Sequence, residues 1–264
     1  MSATLAINVR KLGMTFRRER EEVVAFSDLS LAVDRGRFVV LIGPSGCGKS
    51  TLLRNLADLL ASTSGEIQLF GAPPEQVRMQ RRTSFVFQEA TLLPWRTVIE
   101  NIALPLEVGG WRSLDRPNSE PSELLELVGL KGRERFYPWQ LSGGQRQRVA
   151  IARALATQPD VLFMDEPFGA LDEITRDALN DELLRIWRET GTTLIFVTHS
   201  LSEAAFLGQT IVVMGAKPGR IVQQINLDSE KPDNVIDRTS AKFFQITSRL
   251  RAVLEQACNG GDAP

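Results

Sequence analysis

The sequence predicts an α/β fold with a mostly parallel sheet, antiparallel strands at the N-terminus and a helical subdomain inserted into the core. Three observations support this prediction. Short apolar runs alternate with amphipathic helical segments, a Gly-rich loop joins one such run to a helix, and the alternation stops over residues 89–140. We expect a single domain over residues 1–264. Its expected parts are a core in 1–88 and 141–225, the helical subdomain at about 89–140 and a C-terminal extension in 226–264.

The composition is typical of one globular domain in a reducing compartment. A chain of 264 residues with 43% hydrophobic content can bury a sizeable core. Its 31 basic and 32 acidic residues leave a formal charge of −1, which gives no basic field for nucleic acid or an anionic membrane. The two cysteines provide no disulfide framework. No apolar run approaches the roughly 20 residues of a membrane-spanning helix, so we expect any action at a membrane to come from the aqueous side.

The N-terminal segment predicts two strands joined by a hairpin. Residues 6–16 and 23–33 are rich in apolar side chains, and the charged run 17–22 between them is typical of a solvated loop. Phe16 lies just before that loop. Its ring could pack in the core or stack on a nucleotide base, and the sequence leaves both interpretations open.

The most informative motif is a nonapeptide between a predicted strand and a predicted helix. The apolar run 38–42 precedes it, and leucines at helical spacing follow. The pattern G-x-x-x-x-G-K-[ST] in this setting predicts a phosphate-binding loop, in which backbone N–H groups and a helix N-terminus surround phosphate oxygens. Lys49 would reach the β and γ phosphates, and Ser50 could ligate Mg²⁺. The loop residues are Gly43, Pro44, Ser45, Gly46, Cys47, Gly48, Lys49, Ser50 and Thr51.

The next segments predict a strand and then a helical region. Residues 84–87 resemble a buried strand that ends at Gln88. Beyond it, we expect a helical stretch over 98–108 that is broken by Pro105, and a second helix over 123–128. These segments form the predicted helical subdomain.

A second Gly-rich helix start follows the subdomain. Ser142 is a suitable N-cap, because its hydroxyl can accept a hydrogen bond from a free N–H in the first turn. Gly143 and Gly144 would let another group approach this helix end closely. The sequence therefore predicts a second anion-binding helix terminus, distinct from the first.

Two further predicted strands end in groups suited to phosphate chemistry. The run 161–166 is apolar until it reaches Asp165 and Glu166, and the run 193–198 ends at His199, the only histidine. Open α/β sheets place ligands at the carboxyl ends of their strands. Asp165 is therefore a candidate Mg²⁺ partner and Glu166 a candidate base for the attacking water. A lone histidine is usually structural, but His199 is placed to contact a γ-phosphate.

The remaining elements complete the predicted α/β pattern. Residues 173–190 predict an amphipathic helix that stops at Gly191. Two closing strands are expected over 211–214 and 220–225, and an amphipathic helix over 243–254.

Taken in order, these motifs resemble the nucleotide-binding subunit of an ATP-binding cassette transporter. The resemblance covers residues 5–225. It rests on the phosphate loop, Gln88, Leu141 to Gln145, Asp165–Glu166, Gly169 to Asp172 and His199. The resemblance implies ATP and Mg²⁺ as ligands, and ATP hydrolysis coupled to transmembrane transport.

The resemblance also implies a role for each matching residue. The proposed catalytic residues are Glu166 as general base, His199 at the γ-phosphate, Gln88 as sensor of Mg²⁺ and the lytic water, and Lys49. The metal ligands would be Ser50, Gln88 and Asp165, with Thr51 also at the phosphates and Phe16 stacked on adenine. Ser142, Gly143, Gly144 and Gln145 belong to the signature motif, which closes on ATP held by the opposite subunit. Asp172 lies in the loop that crosses this interface.

The implied partners are a second copy of the chain in the ATP-bound state, integral membrane permease subunits and, indirectly, a solute-binding protein. The implied location is the cytoplasmic side of the inner (plasma) membrane. Segment 92–97, which follows Gln88, resembles the stretch that receives the coupling helix of the membrane subunit in importers. Segments 165–172 and 217–221 resemble the branch that imports nitrate, sulfonate and taurine. The chain departs from that branch at Gln145, where Met is frequent, and at Ser200, where an acid is common.

Three other functions fit the sequence less well than an importer does. A cassette ATPase that transports nothing typically carries a coiled-coil insertion or two cassettes in one chain. An exporter ATPase is usually fused to a membrane domain or lacks the Pro94–Trp95 stretch. An unrelated phosphate-loop kinase or GTPase is disfavoured by the signature motif. Fold alone does not decide between these functions.

Overall fold

The computed structural model describes residues 5–18, 21–108, 119–216 and 218–259. Within these residues, no helix is long and apolar enough to cross a bilayer. The chain forms two compact units, Met1–Gln76 with Thr193–Pro264, and Val77–Thr192. We call these the first unit and the second unit. The loop residues 109–118 of the predicted subdomain and Lys217 of the predicted 217–221 motif lie outside the described residues.

The elements follow the predicted order along the chain. The strands are β1 (Leu5–Arg18), β2 (Glu21–Asp34), β3 (Phe38–Ile42), β4 (Ser64–Leu69), β5 (Thr83–Val86), β6 (Val161–Asp165), β7 (Thr193–Val197), β8 (Thr210–Gly215) and β9 (Arg220–Asn226). The helices are α1 (Lys49–Leu56), α2 (Pro74–Met79), α3 (Val98–Glu107), α4 (Pro121–Leu127), α5 (Gly143–Leu155), α6 (Glu173–Thr190), α7 (Leu201–Leu207) and α8 (Ala241–Asn259).

The first unit begins with an antiparallel sheet of order β2-β1-β4. β1 pairs with β2 over almost its whole length and with β4 on its other side. The predicted N-terminal hairpin is confirmed, but its strands are longer than expected. They continue into the charged run, where Arg17 Nε lies 2.9 Å from Glu22 Oε1 in an exposed ion pair. Alternating charges across a strand pair let the ladder extend into solvent.

The main sheet of the first unit is parallel where the sequence predicted it. β3 lies between β7 and β8 and is parallel to both, and β9 closes the sheet antiparallel to β8. Every residue of β3 and β7 is buried, which explains their continuous apolar runs. Helix α1 ends at Leu56, earlier than the leucine pattern suggested, and Leu59 is 49% exposed. That part of the predicted helix was wrong.

The second unit contains the parallel pair β5 and β6 and the predicted helices. β6 is fully buried, whereas β5 buries only Val86, so the expectation of a buried strand at 84–87 was wrong for most of it. Helix α5 packs against α3, α4, α6 and β5. Helix α3 runs through Pro105, contrary to prediction. Pro105 lies in the last turn, where the missing N–H removes a single backbone hydrogen bond and the helix ends soon after.

The C-terminal extension is attached to the first unit by buried polar contacts. Lys231 is 2% exposed, and its Nζ donates to the carbonyl oxygens of Phe206 and Gly208, the latter at 3.0 Å. Both carbonyls lie at the C-terminal end of α7, where a cation is favourable. Arg37 binds Asp228 through two hydrogen bonds of 2.6 Å. Helix α8 then packs on α7 and β8 and is longer than predicted.

Candidate nucleotide and hydrolysis site

The phosphate loop of the first unit leaves its backbone open at the tip. Ser45 and Gly46 are exposed, and a Cβ added to Gly46 would meet no atom within 4 Å. Gly46 and Gly48 have φ angles of 77° and 94°, which lie in the left-handed region that glycine adopts readily. Helix α1 begins directly after Gly48. The open N–H groups and the helix N-terminus therefore fit the phosphate groups of a nucleotide.

Lys49 extends over the loop from the first turn of α1. Its side chain is 6% exposed, and Nζ donates to the carbonyl oxygens of Gly43 at 2.9 Å and Pro44 at 3.0 Å. These two carbonyls orient the ammonium group at the mouth of the loop. The position agrees with the predicted contact to phosphate oxygens, which would replace neutral acceptors with charged ones.

The Cys47 side chain packs inside the phosphate loop, against Gly43. The thiol is fully buried, and burial raises the pKa of Cys47 above its ordinary value. Its Sγ lies 2.7 Å from the point that a Cβ on Gly43 would occupy. A contribution of Cys47 to phosphate binding would therefore come from its backbone.

The hairpin between β8 and β9 supports the underside of the phosphate loop, which sequence analysis missed. Gly219 N donates to Ala25 O at 2.8 Å. A Cβ on Gly219 would lie 2.3 Å from Cys47 O and 2.7 Å from Ala25 O. Because backbone atoms on two sides cannot move aside easily, this position requires glycine. The turn residues around Gly219 were the available signal, but their contact lies far away in the sequence.

His199 lies at the same edge of the first unit's sheet as the phosphate loop. It follows β7, and Gly43 follows β3, and these neighbouring strands are parallel. The residues on either side of His199 are fixed: Thr198 Oγ1 donates to the Glu203 carboxylate, and Ser200 caps α7 by accepting from Glu203 N at 3.3 Å. His199 itself is exposed. Its predicted place at the carboxyl end of a core strand is thus observed.

Phe16 belongs to β1, and its side chain is 40% exposed. Of the two interpretations left open by the sequence, burial in the core is not observed. An exposed ring can stack on a planar base.

The second unit brings Gln88 and Glu166 to one glycine. Both residues follow parallel neighbouring strands, β5 and β6, and therefore lie at the same edge. Gln88 Nε2 and Glu166 Oε2 each lie 3.7 Å from the point that a Cβ on Gly169 would occupy. Asp165, the last residue of β6, is 6% exposed. The grouping of amide and carboxylates is the one predicted from the strand ends.

The backbone of Glu166 has an unusual conformation that the sequence does not signal. Its φ angle is 46°, in the left-handed region that costs a non-glycine residue roughly 1–2 kcal/mol. Its carbonyl oxygen accepts from Gly169 N at 3.1 Å, which closes a turn. Strained residues of this kind concentrate at functional sites.

The signature segment forms the capped helix start that was predicted. Ser142 Oγ accepts from Gln145 N at 3.3 Å, and Gln145 Oε1 accepts from Ser142 N at 3.0 Å, a reciprocal capping box. Gly143 is exposed at the first helical position. A Cβ on Gly144 would lie 2.8 Å from Thr175 Cγ2. The group that approaches Gly144 closely is thus α6 of the same chain.

Asp172 has a structural role that the sequence analysis did not assign. It is the N-cap of α6, and its Oδ1 accepts from Thr175 N at 3.0 Å. This hydrogen bond holds the pKa of Asp172 below its ordinary value. The side chain is exposed, so the cap leaves the loop that carries it on the surface.

A cleft of about 440 Å³ lies in the second unit beside Gln88. Its walls are the Gln88–Leu92 segment, the start of α5 and the turn that carries Ala170 and Leu171. Trp95, three residues beyond the end of that segment, is 70% exposed. A large exposed aromatic side chain is typical of a protein interaction surface.

Comparisons with known proteins agree with this geometry. The family described as ABC transporter matches residues 26–169. A taurine import ATP-binding protein of Rhizobium johnstonii is 44% identical over 237 residues, covering 88% of this chain and 89% of that one. An aliphatic sulfonates import ATP-binding protein of Bacillus subtilis is 41% identical over 256 residues, covering 97% of this chain and 95% of that protein.

Solved structures give the same result. The ATP-binding cassette MJ0796, in a dimeric post-hydrolysis state bound to ADP and Pi, superposes with a TM-score of 0.71 at 31% identity. The match covers 84% of this chain and 98% of that one. The chain therefore belongs to the ABC transporter family and is one of its ATP-binding proteins that hydrolyse ATP.

Proposed function

We propose that this chain is the ATP-hydrolysing subunit of an importer, which drives uptake of a small solute by ATP-dependent dimerisation. The observation that carries the proposal is the short segment of chain between Gln88, in the candidate hydrolysis site, and the exposed Trp95. The side chains of Gln88 and Glu166 lie beside Gly169, and the chain runs from Gln88 directly to the exposed Trp95. A change at Gln88 can therefore reach the surface through a few residues.

The first unit is proposed to bind ATP. Residues 43–51 offer backbone N–H groups and the N-terminus of α1 to the phosphates, and Lys49 contributes its ammonium group. Phe16 is proposed to stack on adenine with its exposed ring. His199, exposed at the end of β7, is proposed to contact the γ-phosphate.

Hydrolysis is proposed to use the carboxylates that follow β6. Glu166 would accept the proton of the attacking water, and its turn with Gly169 fixes the backbone that carries the carboxylate. The proposed metal ligands, Ser50, Gln88 and Asp165, supply the hydroxyl, amide and carboxylate oxygens that a hard divalent cation prefers. Mg²⁺, when bound, neutralises charge on the phosphate oxygens.

The proposed dimer completes each ATP site with a signature segment from a second copy. Ser142, Gly143, Gly144 and Gln145 would contact ATP held by the partner, and Asp172 would lie at the interface. The exposed Gly143 at the start of α5 supports this, since the partial positive charge at a helix N-terminus favours an anion. The MJ0796 cassette is described as a dimer with ADP and Pi.

The proposed membrane partners are integral membrane permease subunits, which would dock at Trp95 and at the cleft beside Gln88 from the cytoplasmic side of the inner membrane. A solute-binding protein would act through them. Relatives named for taurine and aliphatic sulfonate import support a small solute of the nitrate, sulfonate or taurine type. The choice of solute would lie in those partner proteins.

A purification from membranes tests the importer proposal. A tagged chain is isolated from detergent-solubilised membranes of the source cell, and copurifying proteins are identified by mass spectrometry. We expect a multispanning permease with the wild type and several-fold less of it with Trp95→Ala. Phe244→Ala is the control, because Phe244 is 62% exposed and belongs to α8 of the first unit, away from the segment that carries Trp95 in sequence. Recovery of no multispanning protein with any variant would favour a cassette ATPase outside transport.

A further inference from the structure

Helix α5, which begins at the signature segment, holds the backbone around Gln88 with two side chains. The first is Gln147, which is 4% exposed and donates from Nε2 to the carbonyl oxygen of Phe87 at 3.1 Å. Phe87 immediately precedes Gln88. A buried amide that is committed to this carbonyl fixes the peptide unit from which the Gln88 side chain projects.

The second side chain is Arg153, two turns further along α5. Its Nη1 donates to Thr91 O at 2.9 Å, and its Nη2 donates to Ala90 O at 2.9 Å and to Thr91 Oγ1 at 3.1 Å. These three acceptors are neutral, and burial lowers the pKa of Arg153 because it disfavours the guanidinium charge. The planar fork holds two consecutive peptide units, which a point charge such as lysine cannot do.

The held segment contains strained backbone. Thr91 has a φ angle of 44°, which is uncommon for a β-branched residue. Such a conformation persists only where the surroundings determine it fully, and Arg153 binds both the carbonyl and the hydroxyl of Thr91. Beyond this point, buried Asn101 bonds with both backbone groups of Leu93, so the chain is also fixed on the way to Trp95.

We propose that Gln147 and Arg153 are positioning residues for Gln88 in ATP hydrolysis. They hold the backbone on both sides of Gln88 from a helix whose N-terminus is the signature segment. The signature segment and Gln88 therefore move together. When the signature segment binds ATP, the position of α5 determines the position of the Gln88 amide. This inference rests on the proposed function of the site.

Steady-state kinetics of the purified chain test the role of the two residues. Gln147→Leu removes one hydrogen-bond donor and keeps a side chain of similar volume. Arg153→Gln removes the guanidinium group that binds two consecutive peptide units. Since one hydrogen bond contributes roughly 1 kcal/mol, we expect kcat to fall by about fivefold for Gln147→Leu and by more for Arg153→Gln. The KM for ATP should stay within about twofold of the wild-type value, because neither Gln147 nor Arg153 is among the residues proposed to bind ATP.

Arg148→Gln is the matched control on the same helix. Arg148 Nη1 donates to Val128 O at 3.1 Å, which is the same type of bond but does not touch the 87–91 segment. Its kcat should match the wild type within about twofold. Arg153→Lys keeps the charge and a single donor group, so it serves if Arg153→Gln fails to fold, and it should lose part of the rate.

A double-mutant cycle with Gln88→Ala separates positioning from stability. If Gln147 and Arg153 act through Gln88, their substitutions should cause no further loss of kcat in the Gln88→Ala background. Additive losses of kcat in the double variants, or single variants whose kcat equals that of Arg148→Gln, would overturn the inference. The proposed function would still stand in that case if the wild type hydrolyses ATP. A wild-type chain that hydrolyses no ATP would remove both.

Discussion

Gly144 illustrates how a residue can serve a motif and the packing of its own chain together. The sequence predicted that the glycine admits a close neighbour. The neighbour in the structure is Thr175, whose Cγ2 would lie 2.8 Å from an added Cβ. A glycine in the first turn of α5 is therefore required by the α5–α6 contact alone, before any role toward ATP is considered.

A substitution at this position should reveal the packing requirement. Gly144→Ala should lower the free energy of unfolding by about 1–3 kcal/mol, since overpacking displaces α6. Urea denaturation measures the loss. Thr175→Ser removes the opposing methyl group and keeps the hydroxyl, so it should restore most of the stability in the double variant. Equal stability of Gly144→Ala and the wild type would show that α6 yields freely.

At the scale of single residues, the sequence predicted position better than conformation. The places of Gln88, Asp165, Glu166 and His199 followed from one rule, that parallel strands end at a common edge. The left-handed φ of Glu166 and the burial of Cys47 did not follow. Both depend on neighbours from distant parts of the chain, which local patterns do not contain.

At the scale of elements, apolar periodicity located the strands and helices but not all of their ends. The leucine pattern at the end of α1 continues past Leu56, but the helix does not. Pro105 was expected to break α3, but a proline in the last turn costs little there. The predicted partition of residues 1–264 into core, helical subdomain and extension remains a prediction.

The attachment of the C-terminal extension to α7 gives an element-scale prediction. Lys231→Met keeps the length of the side chain but leaves the Phe206 and Gly208 carbonyls without this donor. We expect the free energy of unfolding to fall by about 1–3 kcal/mol. Chemical denaturation gives the measurement, and Lys242→Met, at an exposed position of α8, is the control. Similar losses in both variants would contradict a special role for Lys231.

The pair formed by Arg37 and Asp228 predicts a pH-dependent contribution at the start of β3. The hydrogen bonds from Arg37 lower the pKa of Asp228 in the folded chain. A lowered folded pKa gives stability above the unfolded value of about 3.9, and this stability is lost as pH falls through the folded pKa. Because the pair is partly exposed, Asp228→Asn should cost about 0.5–1 kcal/mol at neutral pH. The difference between variant and wild type should vanish in strong acid, and a constant difference would refute the assignment.

At the scale of the whole molecule, the chain carries two Gly-rich helix starts, at α1 and at α5, both of which we propose to bind phosphate. One open helix start is sufficient for one set of phosphates, so the second is explained if it serves ATP on another copy. This proposed arrangement makes ATP part of the contact between subunits, and hydrolysis would release the contact.

Blocking hydrolysis should therefore trap the dimer. Glu166→Gln removes the proposed base but keeps the size of the side chain, so we expect ATP binding to persist while kcat falls by about 10²–10⁴-fold. Size-exclusion chromatography with ATP and Mg²⁺ should show a dimer for this variant. Glu173→Gln, an exposed position at the start of α6, should behave as the wild type. A Glu166→Gln chain that elutes only as monomer would count against ATP-dependent dimerisation.

The support of the phosphate loop by Gly219 has a consequence for the order in which the protein is made. The loop leaves the ribosome early, but β7, β8 and the hairpin beneath it are translated much later. A contact of such long sequence separation forms late in folding. A nascent chain that stops before Gly219 contains the phosphate loop but lacks the hairpin that packs against it. Nucleotide should therefore protect ribosome-bound chains from proteolysis only after this hairpin has emerged.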